Sequence, residues 1–204
     1  PSILSSSIYK YIITDSNWSL SRKLDNYKHV KGSLLINILG TDYVDVNKSI
    51  QSFIPNKIPD IISKKIENKA YKILCQNPSL HDKLEFEIIP TCIDLNWEKW
   101  SNYFKENLSK EELDFYKEIL IENTLEIMKI TIKSPIQKSI KELINKDIID
   151  PIEKIINAIE LIDEIKNTLA VEFARSARRA FIVTSWLKTA LERKIISKSA
   201  EIGF

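Results

Sequence analysis

The sequence predicts a mostly α chain of the α+β class, with a helical bundle in the second half and a small antiparallel β-hairpin or sheet in the first. Three observations carry this. From Trp97 onward apolar residues recur at spacings of three and four, Gly32 and Gly40 punctuate β-favouring runs near the start, and 204 residues suffice for one good-sized core. A single domain, 1–204, is expected, with a mixed α/β layer over 1–95 and a helical layer over 96–204.

The run from Leu34 to Val46 reads as a hairpin turning at Gly40-Thr41, because glycine takes the positive φ of a tight turn and Tyr43, Val44 and Val46 suit a strand. A third extended run, Phe86 to Ile93, contains Pro90, which limits it to an edge strand or bulge. Between them, Pro59 to Gln76 places Ile62, Ile66, Ala70, Ile73 and Leu74 at helical spacing, and Asn77-Pro78 ends that helix. Trp97 and Trp100 open another helix. Ser109 and Glu112 form a capping box ahead of Leu113, Tyr116, Leu120, Thr124 and Ile127, predicting about five helical turns. Pro135 interrupts the pattern. Asp150-Pro151 then starts a helix with Ile152, Ile155, Ile156, Ile159 and Ile162. A last helix, from about Thr168 to Lys194, carries Phe173, Ala177, Phe181, Thr184, Leu187 and Leu191 on its apolar stripe.

Composition excludes several classes. An apolar fraction of 44% and a charged fraction of 28% indicate neither disorder nor a membrane protein. No run of 18 apolar residues and no signal-like start occur, so a cytoplasmic chain is expected. The net charge of +2 gives no general attraction to nucleic acid or acidic membrane. Cys75 and Cys92 lack zinc-ligand spacing and read as reduced, buried thiols. The chain opens on Pro1, holds one methionine, Met128, and closes on Ile202-Gly203-Phe204, as expected of a region within a longer protein.

Two clusters carry concentrated charge. Arg175, Arg178 and Arg179 share one helical surface and are candidates for gripping an anion or a partner's carboxylates, or else for a solvated face paired with acids such as Glu172. If the helix is internal, Arg178, beside Ala174 and Ala177, is the arginine expected to meet a buried acid. His81, Asp82, Lys83 and Glu85 gather a proton carrier, acids and a base, although Ser79 and Asp82 also fit a helix start with His81 on the surface. His29 reads as the edge of a loop. No phosphate loop, nucleophile elbow, metal helix or paired-cysteine site is present, so no catalytic residue, metal site or bound cofactor is assigned. The tryptophans, Trp18, Trp97, Trp100 and Trp186, are too scattered for base stacking, and nucleic acid is not an expected partner.

Three stretches invite a comparison. Tyr43 to Pro55 resembles a Tyr-Val-Asp-x-x-x-Ser-x-x-Ser-Phe-x-Pro pattern, Asn77 to Glu87 an Asn-Pro-x-Leu-His-Asp-Lys-x-Glu-Phe pattern, and Phe173 to Ile182 a Phe-Ala-x-x-Ala-Arg-x-Ala-Phe helix. In this order they resemble the middle region of proteins related to phosphoenolpyruvate synthase and pyruvate phosphate dikinase. The resemblance implies a parent in which a nucleotide-binding domain, using ATP and Mg, and a mobile phosphohistidine domain flank this region. It assigns no role to His81, Asp82, Lys83 or Arg178, and Arg179 departs from the small or apolar residue expected there. The expected function is therefore a structural middle segment of a phosphotransferase-like protein whose partners are its own flanking domains. The alternative is a helical adaptor that binds an acidic protein or nucleic acid through its arginine face, and a small hydrolase ranks third.

Overall fold

The computed structural model describes residues 2–15, 17–129, 144 and 149–197. Among these residues it is mostly α with one two-stranded antiparallel sheet, as predicted. The chain opens with α1 (Ile3–Tyr9), capped by the Ser2 hydroxyl accepting from the Ser5 amide. A π-helical turn (Lys10–Thr14) and α2 (Asn17–Leu24) follow. Nothing in the sequence pattern announces these helices. α1 buries no residue and so has no apolar stripe to read.

Strands β1 (Leu35–Ile38) and β2 (Thr41–Val44) pair with Ile38 opposite Thr41. The turn therefore sits on Leu39 and Gly40, one residue before the predicted position, with φ of 50° and 82°. A two-residue hairpin loop of this kind needs positive φ at both central residues, and a Gly40-Thr41 loop would force that on β-branched Thr41. Val46 belongs not to β2 but to α3 (Val46–Gln51), which Asp45 caps by accepting from the Lys48 amide at 3.1 Å.

Helix α4 (Asp60–Gln76) follows the predicted spacing and buries Ser63, Ile66, Ala70, Ile73 and Leu74. α5 (Trp97–Phe104) begins at Trp97, and α6 (Lys110–Lys129) begins behind the predicted capping box: the Glu112 amide donates to the Ser109 hydroxyl, and the Ser109 amide donates to the Glu112 carboxylate. These helices close the main core. Ile54, Ile66, Ala70, Phe104, Tyr116 and Leu120 are fully enclosed there, and Tyr116 meets Trp97 and Phe104 edge-on. The core thus draws residues from both sides of position 96.

Two expectations need correction. The run Phe86 to Ile93 is not a strand. Leu84–Ile88 forms a π turn, and the chain then passes irregularly, with bends at Ile89, Thr91 and Cys92, while side chains satisfy its backbone. Tyr116 donates to the Pro90 carbonyl, Tyr27 to the Thr91 carbonyl and Trp186 to the Ile93 carbonyl, while the Ile93 amide donates to the Thr124 hydroxyl at 2.9 Å. With these groups occupied by side chains, the segment needs no neighbouring strand.

The second correction concerns the last helices. α7 (Pro151–Glu164), capped by Asp150 as predicted, does not turn back before the next helix. It continues through a π segment (Ile165–Leu169) into α8 (Ala170–Glu192), so one uninterrupted helix spans both predictions. Its buried positions are Val171, Arg178, Ile182 and Thr189. The predicted stripe is rotated outward, with Phe173 76% exposed, and Ile152, Ile155, Ile156 and Ile159 are exposed as well. α6 runs antiparallel to α8: the Ile127 carbonyl accepts from Arg179, whereas Thr124 and Trp186 both hold Ile93. Pro135 and the final residues Ile202 to Phe204 lie outside the described residues. Both cysteines are free, but Cys75 is exposed rather than buried, on the outer side of the last turn of α4, and Cys92 is partly buried. No helix among the described residues is long and apolar enough to cross a membrane.

Candidate functional site

The arginine-rich turn of α8 packs against the end of α2, and the acid it meets is Asp25, just past that helix. Asp25 is fully buried. Arg178 donates to its Oδ2 at 2.7 Å and Arg175 donates from Nε to Oδ1 at 2.9 Å, so one carboxylate binds two guanidinium groups. Arg175 also reaches Glu172 at 3.1 Å. Burial works to lower the Arg175 pKa, but Asp25 and Glu172 outweigh it and the net direction is upward. Arg178 is 5% exposed, lies 5.0 Å from the Tyr27 ring centroid and leaves its Nε without a hydrogen-bond partner among the described residues. Arg179 turns the other way and donates to the Ile127 carbonyl at 3.1 Å. The predicted pairing of Arg178 with a buried acid is present, and the acid comes from the end of α2.

A second, partly buried guanidinium lies beside this cluster. Arg22 of α2 lies over the Phe53 ring, 3.8 Å from its centroid, and donates to the Ser52 hydroxyl. The carboxylate facing it, Glu85, stands 4.0 Å away, much farther than Asp25 stands from its arginines. Burial, and to a smaller degree the charge of Arg178, pull the Arg22 pKa down to about 10 although Glu85 acts the other way.

Arg22 floors an open groove of about 260 Å³. Its walls come from the three stretches singled out in the sequence: Ser49 and Phe53 from the first, His81, Asp82 and Glu85 from the second, Phe181 from the third. His81 is exposed, and its Nδ1 lies 3.1 Å from the Pro78 carbonyl; a carbonyl only accepts, so Nδ1 carries the proton and Nε2 is free to act. Pro78–Leu80 is a 3-10 turn, so the predicted helix start at Ser79 and Asp82 does not form. Asp82 is exposed at the rim, and Lys83 is exposed beside it. His29 lies exposed on a loop, as expected.

Glu85 and Phe181 also border a smaller cavity of about 90 Å³ on the other side, lined in part by Cys92, Arg178 and Lys188. Burial, then the charge of Asp94, push the Cys92 thiol up to about 12, which keeps it protonated and unreactive. Among the described residues no group of three or more His, Cys, Asp or Glu side chains is placed to hold a metal ion. Sequence reasoning missed Arg22, Asp25 and Tyr27. One signal was available for Asp25: the first forty residues contain two acids, Asp15 and Asp25, so few local carboxylates exist to balance a buried arginine.

No protein-family model matches the chain, and neither a curated protein nor a solved structure matches it.

Proposed function

We propose that the chain is a structural middle segment of a phosphoenolpyruvate-using, phosphotransferase-like protein, without a complete active site of its own. It would hold a nucleotide-binding domain and a phosphohistidine domain at a working separation. One observation supports this above the rest. The three stretches that carry the resemblance, far apart in sequence, fold together around Arg22, Glu85 and Arg178, which supports reading them as one unit. ATP and Mg belong to the parent in this reading, and no residue here is assigned to them. Separation matters in such a protein because phosphoryl transfer depends on alignment and charge neutralisation.

The adaptor reading needs the arginine face at the surface, whereas Arg178 and Arg175 both close on Asp25. Two measurements test the proposal. The gene should continue on either side into a nucleotide-binding and a phosphohistidine region, and a frame that closes without them contradicts it. The isolated chain should neither hydrolyse ATP nor take label from phosphoenolpyruvate, and stoichiometric labelling of His29 or His81 overturns that expectation.

A further inference from the structure

The groove floored by Arg22 has features that a spacer does not require. Its arginine is stacked on Phe53 and tied to Ser52, so the planar guanidinium is held in one orientation before anything binds. Its charge lacks a close counter-ion: Glu85 remains 4.0 Å away, whereas Asp25 approaches Arg178 to 2.7 Å. The Ser49 hydroxyl and His81 line the same groove and both can donate to an oxyanion, His81 through Nε2 once protonated. Two acids face the groove as well. Asp82 is exposed at the rim, where solvent screens it, and Glu85 competes with any incoming anion for Arg22.

We propose that this groove binds a phosphate group, held by Arg22 with Ser49 and His81 as further donors, and that Glu85 is the residue the phosphate displaces from Arg22. The volume of about 260 Å³ accommodates a phosphate with a small organic remainder. Burial already makes the Arg22 charge costly, as its lowered pKa reflects, so a dianion arriving beside it relieves an existing penalty. The site is argued from the groove's own geometry and not from the proposed parent protein, so either can fail alone.

The test is a backbone-amide NMR titration of the 204-residue chain at constant ionic strength, following Ser49, Phe53 and His81. Inorganic phosphate, glycerol phosphate and acetate serve as separate titrants. Saturable shifts with a phosphate titrant are expected. Equal affinities assign the site to free phosphate, and tighter glycerol phosphate assigns it to a phosphate ester. Glu85→Gln should tighten binding by about tenfold, or 1.4 kcal/mol, because a competing carboxylate is removed, and Arg22→Lys should weaken it by at least as much. Absence of saturation in both the wild type and Glu85→Gln overturns the proposal, as does acetate binding as tightly as phosphate. If Arg22→Lys fails to fold, the wild type and Glu85→Gln decide the matter: weaker or unchanged binding in Glu85→Gln rejects the displacement.

Discussion

Asp25 is one carboxylate between two arginines, and its removal leaves the buried Arg178 and the half-buried Arg175 without it. Breaking a buried pair in this way costs about 3–5 kcal/mol. Asp25→Asn should therefore lower the urea midpoint markedly, whereas Glu98→Gln, at a pair with Arg193 in which the glutamate is 85% exposed, should change stability by less than about 1 kcal/mol. Cys92 supplies a pH test. Its folded-state pKa is raised to about 12, well above the about 8.5 of a free thiol. Between those values the unfolded chain has released a proton that the folded chain keeps, so stability falls as pH rises through that window. Cys92→Ala should flatten the alkaline limb between about 8.5 and 10, below the range where buried tyrosines add to it. Thiol reagents should modify exposed Cys75 quickly and Cys92 on unfolding. Of these residues Arg178 was legible in sequence, because the small side chains of Ala174 and Ala177 beside it let another helix approach closely. Asp25 stood out only as one of two acids in the first forty residues, and its partners lie some 150 residues away.

Elements with local signals were legible and those set by tertiary contact were not. Helix α4 carries its stripe and its Asn77-Pro78 stop in the sequence, α6 its stripe and capping box, and both fold where those place them. The irregular segment through Ile93 is shaped by Tyr27, Tyr116, Thr124 and Trp186, which no window around it contains. Thr124→Val keeps the shape but leaves the Ile93 amide without its acceptor, at a cost of about 1–3 kcal/mol. Thr184→Val, at an exposed hydroxyl bonded to the Ala180 carbonyl in its own helix, should stay within about 0.5 kcal/mol, and equilibrium unfolding of the two variants checks the contrast. In the hairpin, Leu39 is fully exposed and holds φ of 50°, a conformation that costs an ordinary side chain about 1–2 kcal/mol. Leu39→Asn should slow amide exchange across β1 and β2, since asparagine tolerates that region and completes the preferred Asn-Gly turn. Exchange that quickens would contradict the turn geometry.

At the scale of the molecule, buried charge ties the end of α2 to α8, and the predicted apolar stripe of α8 faces outward. Apolar periodicity alone assigned Phe173 and Phe181 to the core; the pairing of Arg178 with Asp25 turns the helix so that Arg178 takes an inward place. That turn also brings Phe181 to the groove shared with Ser49, Phe53, His81 and Glu85. Arg175 and Arg178 of α8 are therefore tied to Asp25 inside the molecule, and Arg179 to the Ile127 carbonyl. Arg178→Glu puts this to the test, with the urea midpoint and retention on a heparin resin measured on the same protein. Stability should fall by about 3–5 kcal/mol, because the substituted carboxylate would lie against that of Asp25, and retention of the remaining folded protein should be unchanged. An unchanged midpoint together with lost retention would show instead that the arginines serve an exposed anion site.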